Sequence, residues 1–207
     1  MAVSAYTYAN MNLNALNGVL GDLSAIGTVV KCALLGNSYI PAQNRHEVFT
    51  ADDWAASTAY SVGDYVIPTT ATGHIYLCTT AGTSDSAEPS WPTVDVNTVV
   101  DGDVTWECVE NGDLAYFEIS GTGYTSGGQE ISNKTLAQVE GITTFDGDNV
   151  SWVNSTLTAR YAVVYETSTG ILLSYQDFGE EKSSSSGNFE IQWNTEGIAT
   201  ITATQAV

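Results

Sequence analysis

Basic residues are scarce in this chain. Its 207 residues include five Lys and Arg against 24 Asp and Glu, which gives a formal net charge of −19 at pH 7. A surface of this sign repels phosphate backbones and anionic membranes, so the composition argues against binding to nucleic acid or membranes. The same charge favours solubility and permits docking onto a basic surface of another protein.

Cysteine and histidine are also rare, which limits metal and catalytic chemistry. Cys32, Cys78 and Cys108 are odd in number and lack the spacing of zinc ligands. Cys78 and Cys108 each end a predicted strand; a disulfide between them is one alternative, and buried free thiols are the state expected for cytoplasmic assembly. His46 and His74 fall in different predicted domains, and neither Gly-x-Ser-x-Gly nor His-Glu-x-x-His occurs. We therefore expect no catalytic residues, no metal and no cofactor.

Long apolar segments are missing as well. No run approaches the roughly 18 apolar residues of a membrane-spanning helix. The first residues show neither the basic segment nor the apolar core of a secretory signal. We therefore expect a protein that is made in the cytoplasm and does not enter a membrane.

The residues that are abundant favour a β-protein. Hydrophobic residues make up 43% of the chain, enough for a core, and Gly, Ser, Thr and Tyr are frequent. Residues 157–165 and 171–175 predict one hairpin, residues 177–187 a flexible loop, and residues 188–193 and 197–203 a last hairpin. Apolar residues at helical spacing predict a helix within residues 8–27, capped by Asn10 or Asn12.

One segment interrupts this pattern. Residues 54–109 contain short strand-like pieces around 65–67, 74–78 and 104–109, separated by loops rich in Thr, Gly, Ser and Asp. The predicted class is α+β and mostly antiparallel β. A sandwich-like scaffold with one N-terminal helix, residues 1–50 and 114–207, carries an inserted small all-β domain, residues 51–113. An insertion of this kind is typical of a display device.

An ordered set of motifs marks the inserted segment. They are Trp54-x-x-Ser-Thr-Ala-Tyr-Ser-Val-Gly-Asp-x-Val66, His74-x-Tyr-x-Cys78, Glu88-Pro-Ser-Trp-Pro92 and Asp101-Gly-x-Val-Thr-Trp106. The set resembles the small β-module related to carbohydrate-binding modules of families 5 and 12, which phage virion proteins often carry.

Two interpretations of the aromatic residues in this segment stay open. Flat rings suit sugar stacking, and the candidate glycan-binding residues are Trp91, Trp54, Tyr76 and Tyr65. The same rings can instead form the core of a module with few other large side chains. The core interpretation is favoured for Trp54, Tyr60 and Trp106, while Trp91, on a loop stiffened by two prolines, is balanced between the two.

The flanking segments resemble a family of tailed-phage structural proteins. The resemblance rests on four stretches of sequence: Lys31-Cys-Ala-Leu-Leu-x-x-Ser-Tyr-x-Pro41, Ile119-Ser-Gly-Thr-Gly-Tyr-Thr-x-Gly-Gly128, residues 150–165, and Asp177-Phe-Gly179 before Phe189-x-Ile-x-Trp193. It implies a capsid decoration, or cement, protein on the outer surface of the head, with the major capsid protein as partner and a homotrimer as the first expectation. The alternative is a tail or baseplate adhesin that binds host surface polysaccharide. A secreted polysaccharide-binding protein is disfavoured by the absence of a signal segment.

Two further motifs have both a functional and a structural interpretation. The glycine-rich stretch 120–128 could hold phosphate, but it lacks the Lys-Ser pair of a phosphate loop, so a turn near a subunit contact is expected. Asp146, Asp148 and Asp177 could bind calcium, but they do not fit a twelve-residue calcium loop, so solvated loops are expected.

Overall fold

The chain divides into two compact units in a computed structural model that describes residues 4–16, 21–25 and 27–202. One unit, which we call the scaffold, is formed by the chain up to Glu47 and from Glu118 onward. The other, which we call the module, is Val48–Phe117. The segment 51–113, predicted as an insertion, lies within the module.

Strands dominate both units. In chain order the elements are β1 Ser4–Thr7, α1 Ala9–Leu16, β2 Val30–Leu35, β3 Asp52–Asp53, β4 Ala59–Tyr60, β5 Tyr65–Ile67, β6 Ile75–Thr80, β7 Gly82–Thr83, β8 Thr98–Asp101, β9 Val104–Val109, a 3-10 turn Leu114–Phe117, β10 Gln129–Glu130, β11 Thr135–Val139, β12 Ile142–Asp146, β13 Val150–Ser155, β14 Thr158–Glu166, β15 Leu172–Ser183, β16 Gly187–Ile191 and β17 Ala199–Thr202.

The long helix predicted within residues 8–27 is wrong. The described part of that span holds only the eight-residue helix α1, and residues 23 and 24 form a turn; residues 17–20 and 26 lie outside the described residues. Asn10 and Asn12, predicted as caps, lie inside α1. Gly21 adopts a left-handed φ of 59°, a conformation that does not continue a helix. No helix among the described residues is long and apolar enough to cross a membrane.

The scaffold is mostly antiparallel and sandwich-like, as predicted. Its main sheet has the order β1-β15-β14-β2-β10, and the described residues add a three-stranded sheet β11-β12-β17 and a pair β13-β16. The buried side chains of these sheets form one apolar core, whose largest fully buried members include Trp152, Leu34 and Leu173. Burial of this apolar surface is the main stabilising term of the unit.

Strands from either side of the module complete the main sheet. β2 precedes the module and β14 follows it, and they pair antiparallel from Leu35 opposite Tyr161 to Val30 opposite Glu166. Directly after the module, the Ile119 N–H donates to the Leu34 carbonyl at 3.0 Å. The chain therefore returns to the strand that it left before the module began.

Two local predictions in the second half need correction. The predicted flexible loop 177–187 is largely strand, because β15 continues to Ser183. The predicted last hairpin does not form as a pair: β16 pairs with β13, while β17 pairs with β12. Turn residues at 194–197 do reverse the chain, but a local turn signal does not specify which strands then pair.

The module has its own sheet and core. Its five-stranded sheet has the order β3-β5-β6-β9-β8, in which only the β3–β5 pair is parallel, and β4 pairs with β7. The buried core consists of Trp54, Val66, Tyr76, Cys78, Val104, Trp106 and Cys108. All three cysteines of the chain are buried free thiols, so the disulfide between Cys78 and Cys108 is not formed. Burial raises the pKa of the Cys78 and Cys32 thiols, which makes both poor nucleophiles at neutral pH.

The glycine-rich stretch 120–128 is fixed by an acidic side chain. Glu118 accepts the N–H of Gly127 at 2.6 Å and the hydroxyl of Ser126 at 2.7 Å, and it also accepts the Tyr124 hydroxyl. At Gly128, φ is 72° and an added Cβ would come within 2.6 Å of Ala33 Cα. A carboxylate of the chain itself thus accepts the hydrogen bonds that a phosphate would need from this loop. The arrangement favours the turn interpretation over the phosphate interpretation.

The turn between β14 and β15 depends on the buried carboxylate of Glu166, which is 3% exposed. Its oxygens accept the N–H groups of Ser168 and Thr169 at 2.8 and 2.9 Å and the hydroxyls of the same residues at 2.8 and 2.7 Å. Burial acts to raise the pKa of Glu166, but these hydrogen bonds outweigh it and hold the pKa below its ordinary value.

A lowered folded pKa predicts a specific pH dependence. The stabilisation by Glu166 is fully present above the unfolded value, about 4.3, and is lost as pH falls through the lower folded value. Glu166→Gln should therefore destabilise the protein by about 1–3 kcal/mol at pH 7, and the gap to wild type should shrink between pH 5 and 3. Urea unfolding across this pH range measures the difference in stability between the variant and the wild type. Glu181→Gln, at an exposed position of β15, is the control, and an equal gap at every pH contradicts the account.

Candidate functional site

A buried carboxylate organises the aromatic residues of the module. Asp101, 2% exposed, ends β8, and its Oδ2 accepts the indole N–H of Trp54 at 2.8 Å and that of Trp106 at 3.0 Å. Its Oδ1 accepts the backbone N–H of Asp85 at 2.9 Å. Both indoles are thereby turned inward, and Trp54 and Trp106 are 7% and 0% exposed.

Tyr76 lies beneath the loop that carries Trp91. It is 0% exposed, and its hydroxyl donates to the Pro92 carbonyl at 2.7 Å. Its ring centroid is 4.2 Å from that of Trp91. Burial raises the pKa of Tyr76, so the side chain stays protonated and keeps this hydrogen bond. Tyr76 therefore supports the loop from below and offers no ring face for a ligand.

Trp91 differs from the other two tryptophans of the module because it is only half-buried. Its indole N–H donates to Glu88 Oε1 at 2.8 Å, and Glu88 in turn accepts the N–H of Thr69 at 2.9 Å. Burial acts to raise the pKa of Glu88, and the bonds from Thr69 and Trp91 outweigh it and lower it. The ionised carboxylate thus fixes the orientation of the indole at the edge of the core.

The four candidate glycan-binding residues therefore do not form one open platform. Trp54 and Tyr76 belong to the core, as the core interpretation expects for Trp54. Trp91 and Tyr65 each keep part of the side chain exposed, Tyr65 on β5. Of the four, these two remain able to meet a ligand.

Sequence reasoning missed three exposed valines that follow Trp91. Val94, Val96 and Val100 are 58%, 59% and 71% exposed. Val96 also has a φ of 58°, and such a left-handed backbone is rare for a β-branched residue and costs roughly 1–3 kcal/mol. Val100 lies on β8, at the edge of the sheet, where alternation turns it outward. That alternation is the signal that could have identified it.

The charge of the module restricts what it can bind. Residues 48–117 include eleven Asp and Glu and no Lys or Arg. A ligand or partner surface that approaches this unit meets an acidic surface, so neutral or cationic chemistry is favoured and polyanions are repelled.

The acidic residues considered for calcium take part in separate interactions. Asp177 pairs with Arg160 at 2.8 Å, and Asp148 accepts the side-chain amide of Asn133 at 2.7 Å. In the part of the chain that the structure describes, no group of three or more metal-ligating side chains is found.

Comparison with known proteins identifies no relative. No protein-family model, no curated protein and no solved structure matches this chain.

The Asp101 cluster generates a stability prediction. In Asp101→Asn the amide nitrogen must face either the two indoles or the Asp85 N–H, so at least one buried donor loses its acceptor. We expect a loss of about 1–3 kcal/mol in the free energy of unfolding, measured by urea denaturation. Asp103→Asn makes the same charge change at an exposed site two residues away and should cost little. Equal effects of the two substitutions would contradict the role of Asp101.

Proposed function

We propose that this chain is a structural protein of a bacteriophage virion, a capsid decoration protein that docks through its scaffold and displays its module outward. The proposal rests on one observation above all: a unit with its own core is inserted between two strands, β2 and β14, that pair with each other. Both ends of the module are thereby attached to the scaffold, which suits presentation on a surface.

Two properties of the scaffold support docking on a protein shell. The hairpin β11–β12 exposes Leu136, Val139 and Ile142 to 47%, 67% and 43%, and apolar contact of this kind supplies affinity that salt does not screen. The scaffold carries 13 of the 24 acidic residues and all five basic ones, and its formal charge of −8 complements a basic capsid surface and speeds encounter with it. A homotrimer is the proposed assembly, with the major capsid protein as partner.

A second candidate keeps the protein in the virion but places it on the tail. The half-exposed Trp91, held by Glu88, favours this reading, because an oriented aromatic ring at a surface suits stacking on a sugar. In that case the chain is an adhesin for host surface polysaccharide, and the module is the part that meets the host.

Placement on the particle separates the two candidates. A decoration protein is present in hundreds of copies per particle, and a tail adhesin in a handful. On purified particles of the phage that encodes this chain, we expect a strong band on a denaturing gel and antibody against residues 54–109 over the whole head. Label confined to the tail tip would move the assignment to the adhesin, and particles without the chain would end both proposals.

A further inference from the structure

A groove of about 640 Å³ opens in the scaffold between β15 and β16. These strands follow each other in the chain, separated by residues 184–186, but they do not pair: β15 pairs with β1 and β14, and β16 pairs with β13. The space between them is therefore lined by side chains of both strands and of the segment after β16. Cavities of roughly 300–1,000 Å³ are typical of small-ligand sites.

Part of the groove lining is buried and apolar. Phe178, Phe189 and Ile191 line it and are 4%, 6% and 4% exposed. Trp193 lines it as well and is half-buried, and its indole N–H donates to the Asp148 carbonyl at 2.7 Å. An aromatic residue fixed in this way presents contact area at little cost in conformational entropy.

The side-chain amide of Gln176 faces this groove. Gln176 is 6% exposed and lines the groove, and its backbone is held from both sides by Ala5 and Ala162. Among the residues that the structure describes, no side chain or backbone group makes a hydrogen bond to its side-chain amide. The amide atoms themselves are not among the fully buried ones, so they are open to the groove and free to form hydrogen bonds with a bound ligand.

Two further amides line the same groove. Asn188 and Gln192 are exposed, and within the described part of the chain their side chains also have no hydrogen-bond partner. Each primary amide carries two donors and an acceptor, so the three residues together offer both kinds of group. A complementary ligand must donate and accept along its length.

The groove is nearly neutral, although the chain is strongly acidic. Lys182 and Glu190 line it with opposite charges, and the Lys182 ammonium is 2.7 Å from Glu180. Glu180 thus neutralises Lys182, and the exposed Glu190 carboxylate that remains in the lining disfavours an anionic ligand. Sugar hydroxyls donate and accept as primary amides do, and the C–H faces of a sugar ring suit an aromatic neighbour.

We propose that the groove between β15 and β16 binds a neutral saccharide segment, with Gln176, Asn188 and Gln192 as hydrogen-bonding residues and Trp193 as the aromatic contact. An extended peptide would be recognised through main-chain groups at a strand edge, whereas the hydrogen-bonding groups that face this groove are side-chain amides. The site lies in the scaffold and is independent of Trp91 in the module and of the position of the protein in a virion.

NMR signals of the side-chain amides in the isolated full-length protein test this proposal directly. Cellotetraose, maltotetraose and chitotetraose are added at millimolar concentration, and a tetramer of galacturonate serves as the anionic comparison. At least one neutral tetramer should shift the NMR signals of the Gln176, Asn188 and Gln192 amides, while the amide of Gln138 on β11 stays unchanged. The anionic tetramer should leave all of them unchanged.

Substitutions localise the binding. Gln176→Leu and Gln192→Ala should each weaken the binding of the responding tetramer about tenfold, which is what loss of one well-placed hydrogen bond produces. Gln138→Ala should have no effect. Gln192 and Asn188 are exposed, so Gln192→Ala and Asn188→Ala test the site even if Gln176→Leu does not fold. The proposal is overturned if no neutral tetramer shifts these signals, if binding survives Gln192→Ala and Asn188→Ala, or if the galacturonate tetramer binds as well as the neutral ones.

Discussion

The pairing of β2 with β14 is the constraint on which the rest of the structure depends. All six residues of β2 lie opposite residues of β14, and the module lies in the chain between them. The entropy cost of closing such a loop grows only slowly with its length, so a scaffold built on this pairing tolerates a long insertion. The inserted module is stabilised by a hydrophobic core of its own, formed around Trp54, Tyr76 and Trp106.

Because cations are scarce, both units satisfy their buried and half-buried carboxylates with other hydrogen-bond donors. With five Lys and Arg in the chain, the carboxylates of Asp101, Glu118 and Glu166 accept hydrogen bonds from indole, hydroxyl and backbone donors. Hydrogen bonds to a charged acceptor are stronger than neutral ones, so each carboxylate ties several segments together. The acidic residues that favour solubility at the surface therefore also serve, at these three positions, as hydrogen-bond acceptors that hold separate segments together.

Individual strands could be predicted from local sequence patterns, but pairings between strands that are distant in sequence could not. The hairpin predicted over residues 157–165 and 171–175 corresponds to β14 and β15, and the strand-like piece predicted at 104–109 corresponds to β9. The partner of β16 and the extension of β15 to Ser183 depend on contacts between distant segments, which no local pattern specifies. The aromatic spacing of the module also could not separate core from surface. The groove that Gln176 lines is visible only once β15 and β16 are placed.

The chain forms two units, each with its own hydrophobic core, and the module interrupts the scaffold. Amide NMR spectra of the full chain, of residues 48–117 alone, and of the scaffold with residues 48–117 replaced by a short Gly-Ser linker test it most directly. The account predicts that the two partial spectra, taken together, reproduce the full spectrum apart from residues next to the junctions. Loss of signal dispersion in either piece would contradict it, because that unit would then depend on the other for its fold.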